Sequence, residues 1–194
     1  MRLHRRAIIS WALATAAGGR FAHAAGAANE AAASRVTAFA FSFSALDDGD
    51  IKLADYAGRP MLIVNTASQC GYTPQYAALQ DLWREFQAAG LMIIAVPSND
   101  FGGQEPGARD AIVETARDHY GVSFPIAAKT VVRGPDAHPF YKWAAGERPG
   151  ELPAWNFHKY LIGRNGHIVD VFASAVDPAD TRVKTAIGHA LAAA

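Results

Sequence analysis

Two short apolar runs, Met61-Leu62-Ile63-Val64-Asn65 and Leu91-Met92-Ile93-Ile94-Ala95-Val96, constrain this chain more than any other feature. Each has the length of a strand and too little polar alternation for a strand with one wet face, so each reads as a central strand covered on both sides. Between them Thr73-Pro74 offers an N-cap and a first-turn proline. Tyr76, Leu79, Leu82, Trp83 and Phe86 then recur at helical spacing until Gly90. A strand, a helix and a second strand in this order predict a parallel pair joined by a right-handed crossover.

The flanking sequence extends the pattern. Phe39, Phe41 and Phe43 alternate as in a half-buried strand, and Asp47-Asp48-Gly49-Asp50 turns the chain into Ile51-Lys52-Leu53. A second helix is expected from about Ala108 to Tyr120, a strand near Phe124 to Val132, and a short helix around Pro139 to Ala145. Tyr160 to Gly163 and His167 to Phe172 flank Arg164-Asn165-Gly166, a hairpin signal. Asp177 to Ala193 reads as a closing helix with Asp177 as its cap and Val183, Ile187 and Leu191 inward. The expected fold class is α/β, a central mixed β-sheet flanked by α-helices.

The first 24 residues read as an export signal. Met1 to Arg6 is basic, Ala7 to Ala17 is apolar, and Ala22-His23-Ala24 supplies the small residues of a cleavage site. The apolar run is too short for a stable membrane span, so the expected location is periplasmic or secreted. Arg5-Arg6 also suits a twin-arginine signal. Residues 25–38 lack large packing residues and read as a flexible tail, which leaves 39–194 as one domain. Lys plus Arg and Asp plus Glu both count 18 over the full chain. Without residues 1–24 the balance becomes −4, which gives no basic field for nucleic acid.

Cys70 is the single cysteine, which excludes an internal disulfide, a Cys-x-x-Cys pair and a cysteine-rich metal site. It lies where the central strand gives way to the helix, the place at which open α/β sheets form crevices and helix N-termini favour a thiolate. A lone cysteine is more often a small buried residue. The adjacent Gly71 and Thr73-Pro74 at a strand-to-helix turn favour a nucleophile here. The histidines outside the leader, including His158, show no metal spacing and no metal is assigned. His158 reads as a solvent-facing strand residue, and Lys142, Arg148 and Lys159 as scattered surface cations.

Three segments, Thr66-Ala67-Ser68-Gln69-Cys70-Gly71, Phe101-Gly102-Gly103-Gln104-Glu105-Pro106-Gly107 and Trp155-Asn156-Phe157, resemble the signature segments of the glutathione peroxidases, in order and at suitable spacing. The resemblance runs from about Phe41 to Leu191. It implies a thioredoxin-like fold and a peroxidase that reduces hydrogen peroxide or organic hydroperoxides, protecting against oxidative stress. Carried over, Cys70 is the peroxidatic nucleophile, and Gln104, Trp155 and Asn156 complete a catalytic tetrad of neutral donors. No cofactor is implied.

The chain departs from the family pattern in places. Asp100 puts a carboxylate near the site where many members have Gln, and Ser98 stands where others carry Cys. No resolving cysteine precedes Phe124-Pro125. A one-cysteine cycle follows, with an external thiol such as glutathione or a redoxin as reductant. The short link from Tyr141 to Trp155 implies a monomer. The alternative function is a peroxide sensor or relay that passes oxidation to a partner protein through a mixed disulfide. A catalytically silent binding module is disfavoured by the four retained site residues.

Overall fold

The computed structural model describes residues 36–193. The export signal and most of the tail read from the sequence lie outside these residues. Packing reaches back before Phe39: Ala38 is fully buried and its N–H donates to Gly166 O at 2.9 Å.

The two apolar runs form β3 (Met61–Thr66) and β4 (Met92–Pro97), paired in parallel from Met61↔Met92 to Thr66↔Pro97, and every residue of both is buried. On its other edge β3 pairs antiparallel with β5 (Lys159–Ile162), which pairs antiparallel with β6 (Ile168–Phe172). The sheet order is β4-β3-β5-β6, a mixed sheet as expected. A separate hairpin of β1 (Ser42–Ser44) and β2 (Asp50–Lys52) places Phe43 opposite Ile51.

Side-chain alternation along β3 divides the core in two. Leu62 and Val64, with Ile93 and Ala95, face Tyr76, Leu79 and Leu82 of α1 (Gln75–Phe86) and Val183 and Ile187 of α4 (Thr181–Ala192). Met61 and Ile63, with Met92 and Ile94, face Phe140 and Ala144 of α3 (Pro139–Glu147) and the β1–β2 hairpin. Helix α2 (Arg109–Val113) continues as a π-helical turn through Glu114–His119 and buries Ile112 and Ala116 on the α1 side.

Three expectations are corrected, and the hairpin between β5 and β6 is as expected. Ala38–Ala40 is a 3-10 turn, so only Ser42–Ser44 of the Phe39–Phe43 alternation is strand. Residues 124–132 form only isolated bridges, because Pro125 has no N–H and the segment splits its bonds between β4 (Ala127 N to Ala95 O, 2.8 Å) and β1 (Ala128 N to Ser44 O, 2.8 Å). The closing helix starts at Thr181, capped by Asp180, whose carboxylate accepts from Arg182 N at 2.8 Å. Asp177 instead closes a local turn with Ala179 N. The Asn165-Gly166 connection spans 163–167, pinned by Gly163 N to His167 O at 2.9 Å, and Gly166 adopts φ +83°.

Gly166 also lies against Thr37 and Phe39. A Cβ there would meet the Phe39 ring at 2.7 Å and Thr37 Cβ at 2.8 Å. We expect Gly166→Ala to lower stability by about 2–4 kcal/mol, combining left-handed strain with overpacking. Urea denaturation checks this, and a loss below about 0.5 kcal/mol contradicts it.

Candidate active site

The C-terminal end of β3 organises three loops. Beyond Thr66 the chain makes tight turns through Cys70 before α1 begins at Gln75. Thr73 was expected to cap the helix, but its hydroxyl serves the Cys70 turn instead. It accepts from Cys70 N at 3.0 Å and lies 2.7 and 2.9 Å from the carbonyl oxygens of Cys70 and Ala67. Cys70 is 7% exposed, and its Sγ accepts from the Tyr72 N–H at 3.4 Å. This contact sets a backbone donor against the sulfur in the turn that leads into α1.

The second loop follows β4. Ser98 N donates to Thr66 O at 2.9 Å, and Asn99 Oδ1 accepts from Glu105 N at 2.9 Å, so the segment folds back over the end of β3. Gln104 O accepts from Gln69 N at 2.9 Å, the residue before Cys70. The Glu105 carboxylate is fully buried and accepts from both Ser68 N (2.9 Å) and Ser68 Oγ (3.0 Å). Burial raises its pKa, opposed by the two Ser68 hydrogen bonds. Gly102 and Gly103 have φ +66° and +65°, and a Cβ on Gly102 would lie 3.3 Å from the Trp155 ring, so this glycine leaves room for the indole.

The third loop precedes β5. Asn65 Nδ2 donates to Trp155 O at 3.1 Å, while Asn65 O accepts from Phe157 N at 2.6 Å. Phe157 is buried at φ +64°, the one non-glycine residue with positive φ among those described. Its carbonyl and that of Val176 receive Lys159 Nζ at 2.7 and 2.8 Å. Asn156 is fully buried and donates to Gln104 Oε1 at 3.0 Å. Trp155 is 38% exposed and tilts against Phe101, with ring centroids 6.0 Å apart.

Gln104 and Asn156 are thus in direct contact, Trp155 is held beside them through Phe101 and Asn65, and Cys70 joins them through the Gln69–Gln104 backbone bond. Among the described residues, no hydrogen bond joins Cys70 Sγ to Gln104, Trp155 or Asn156. Gln104 Oε1 is taken by Asn156, and among the described residues neither the Gln104 amide N–H groups nor the Trp155 indole N–H has a hydrogen-bond partner. Two neutral donor groups are therefore uncommitted there.

Asp100 does not face this site with an open charge: its Oδ2 accepts from Val132 N (2.6 Å) and Arg133 N (3.2 Å), tying the loop to the segment before α3. Two sequence expectations are overturned. Lys159 is fully buried, not a surface cation, and desolvation lowers its pKa to about 7 against the opposing pull of Asp177. His158 is 5% exposed, not solvent-facing, and burial followed by the Lys159 charge lowers its pKa to about 4. His158 directly precedes β5 and Lys159 opens it, where the chain enters the covered centre of the sheet, a position that a six-residue view of Asn156-Phe157-His158-Lys159-Tyr160-Leu161 does not reveal. Asn65 and Glu105 were not singled out either. The signal available was a polar residue closing an apolar strand directly before Cys70's segment, and an acid inside the glycine-rich segment.

Comparison with known proteins bears on the family and the fold. The glutathione peroxidase family model matches residues 38–145, more than half of the chain. The chain belongs to the glutathione peroxidase family. It is 42% identical over 151 residues to a hydroperoxy fatty acid reductase of Synechocystis sp., covering 73% of this chain and 89% of the relative. The crystal structure of Trgpx in apo form matches with TM-score 0.68 at 33% identity, over 82% of this chain and 98% of that one. A thioredoxin-family thiol:disulfide interchange protein from Chlorobium tepidum matches at TM-score 0.59 and 15% identity, over 78% of this chain and 92% of that one. The fold is therefore thioredoxin-like. The chain is a peroxidase-type oxidoreductase, and thiol-dependent reduction of peroxide is the activity its family carries. Trp155 and Asn156 lie beyond the matched 38–145 segment, so it is the geometry above that joins them to Gln104.

Among the described residues, no cluster of three or more His, Cys, Asp or Glu is disposed to hold a metal ion, and no helix is long and apolar enough to cross a membrane.

The buried His158 gives a pH-dependent expectation. Its folded pKa lies near 4 and its unfolded value near 6.5, so between these values the unfolded chain binds a proton that the folded chain refuses. Stability falls as pH drops through this window, by up to about 3 kcal/mol from this group alone. We expect His158→Gln to flatten the difference between denaturation midpoints at pH 7 and pH 4.5. An unaltered slope contradicts a neutral buried His158.

Proposed function

We propose that Cys70 is the peroxidatic nucleophile of an exported one-cysteine peroxidase, and that Gln104, Trp155 and Asn156 stabilise and orient the reacting oxygens. The observation that carries this reading is the pair of uncommitted neutral donors, on Gln104 and Trp155, gathered in one site with Cys70 at the end of β3.

The Cys70 thiolate attacks the terminal oxygen of ROOH. An S–O bond forms, the O–O bond breaks, and RO⁻ leaves and takes up a proton as water or alcohol, leaving Cys70 as a sulfenic acid. Neutral N–H donors stabilise both the thiolate and the departing oxyanion without adding a titrating charge. Asn156 acts on Gln104 by fixing its amide, which keeps the donor end outward. Asn65 and Glu105 are positioning residues, one holding the Trp155 segment and the other the Ser68-Gln69 segment.

With Cys70 the single cysteine, an external thiol R′SH condenses with the sulfenic acid to give a mixed disulfide and water. A second R′SH then releases the Cys70 thiol and R′SSR′. Glutathione or the thiol of a redoxin serves this role. The substrates are hydrogen peroxide and organic hydroperoxides, and the activity defends the cell against oxidative stress. The protein acts as a monomer in the periplasm or outside the cell, residues 1–24 being the export signal.

Rapid mixing of the pre-reduced protein with hydrogen peroxide, followed by thiol trapping and mass spectrometry, tests the mechanism. Loss of the Cys70 thiol is expected several orders of magnitude faster than for free cysteine, and a rate like that of free cysteine refutes it. Cys70→Ser is expected to abolish turnover with any reducing thiol. Gln104→Ala is expected to slow sulfenic acid formation by about 10- to 1,000-fold, the range for losing one oxyanion donor, and an unchanged rate removes Gln104 from the chemistry.

A further inference from the structure

The loop that carries Gln104 is bonded to the Cys70 segment at two successive residues. Gln104 O accepts from Gln69 N, and the Glu105 carboxylate accepts twice from Ser68. The next three carbonyls along the loop, those of Glu105, Pro106 and Gly107, take no backbone N–H among the described residues. Lys129 Nζ donates to all three, at 3.3, 3.5 and 2.9 Å respectively. An ammonium carries three N–H groups on one atom, so it matches three acceptors that converge on one point.

Lys129 is exposed, yet its backbone is fixed. Ala128 N donates to Ser44 O of β1 and Thr130 N to Pro97 O at the end of β4, both at 2.8 Å. The side chain therefore reaches the loop from a base held by two strands. Among the described residues Lys129 takes part in no ion pair. Desolvation raises the Glu105 pKa, the two Ser68 hydrogen bonds lower it, and the Lys129 charge lowers it too. From α1, Tyr76 also faces Glu105, and desolvation keeps its buried hydroxyl neutral. Asp100 and Arg109 flank the loop along the chain but are engaged elsewhere, with the Val132 and Arg133 N–H groups and with Asp47.

We propose that Lys129 is a positioning residue for the Cys70 reaction, its ammonium clamping the Glu105, Pro106 and Gly107 carbonyls so that Gln104 and Glu105 hold Gln69 and Ser68, and hence Cys70, in place. This rests on the peroxidase reading of Cys70. Among the described residues Lys129 has no hydrogen bond to Cys70, so it acts through the loop. Without the ammonium, three carbonyl dipoles keep their negative ends together beside a buried carboxylate with nothing to offset them. That arrangement favours the protonated form of Glu105, a poorer acceptor for the two Ser68 donors.

Lys129→Met keeps the apolar stem and removes the ammonium. Pre-reduced protein is mixed with hydrogen peroxide, a neutral oxidant that surface charge does not steer, and loss of the Cys70 thiol is followed. The second-order rate constant is expected to fall about 5- to 50-fold, short of the roughly hundredfold that a full misplacement costs. The deficit is expected to widen from pH 8 to pH 5, because Glu105 takes up its proton at higher pH once the neighbouring cation is gone. Lys142→Met, which removes an exposed ammonium elsewhere, is expected to change neither. Amide hydrogen exchange at Ser68 and Gln69 is expected to speed up about three- to tenfold in Lys129→Met, the size of one weakened hydrogen bond. In the unaltered protein, NMR is expected to show the Lys129 ammonium protons exchanging with water more slowly than those of Lys142, by a similar factor of about three to ten. This last arm stands even where Lys129→Met does not fold.

An unchanged rate constant, a deficit independent of pH, unchanged exchange at Ser68 and Gln69, or a Lys129 ammonium that exchanges as fast as that of Lys142 overturns the assignment and leaves the peroxidase reading in place. An equal loss of rate in Lys142→Met also overturns it, in favour of general surface charge. A reaction of the unaltered protein with hydrogen peroxide no faster than that of free cysteine overturns the peroxidase reading instead, and the two exchange measurements then still decide whether Lys129 holds the loop.

Discussion

The backbone and side chain of Asn65 hold the architecture of the site together. This residue is buried near the end of β3 and bonds through its side-chain amide and its carbonyl to the segment that carries Trp155 and Asn156. One residue further, Thr66 O receives Ser98 N of the loop that carries Gln104. The strand therefore delivers Cys70 and also fixes the two loops that must meet it. β3 can do this because it is paired on both edges and covered on both faces, which leaves its end with little freedom to shift.

The polar groups around the site separate into those that build it and those left open. Glu105, buried and bonded twice to Ser68, holds one loop. Lys159, buried against two carbonyls, holds the strained Phe157 turn. Both are ionisable groups spent on backbone geometry, since a buried charge is tolerated only where several hydrogen bonds compensate its desolvation. Asp100 follows the same rule, its carboxylate taken up by two backbone N–H groups. The donors of Gln104 and Trp155, which no described residue takes up, are neutral, which suits a reaction in which negative charge moves from sulfur to oxygen.

Much of the fold was legible in periodicity. The runs that became β3 and β4 and the helical spacing of Tyr76, Leu79 and Leu82 report burial directly, and burial is what periodicity measures. The segment at 124–132 was misread because its apolar residues are buried without a ladder, its backbone bonds being shared between β1 and β4. His158 and Lys159 were misread for the converse reason: polar residues enter the core when tertiary neighbours supply partners, and no local pattern announces those partners. Cys70 was nameable from its place between strand and helix, whereas Gln104, Trp155 and Asn156 were nameable only through the resemblance of three separated segments to one family.

The sequence by itself determined the alternation of strands and helices, the single thiol with no second cysteine to pair with it, and the residue types available to stabilise an anion. These are properties of composition and of spacing along the chain. Only the tertiary structure decided which donors remain open, because Gln104 presents its N–H groups once Asn156, 52 residues away, occupies its oxygen. It also decided that Asp100 is spent on the backbone, that Lys159 is interior, and that Lys129 holds three carbonyls of the loop that carries Gln104. Hydrogen-bond partners and desolvation are set by neighbours in space, and spacing along the chain carries no record of them.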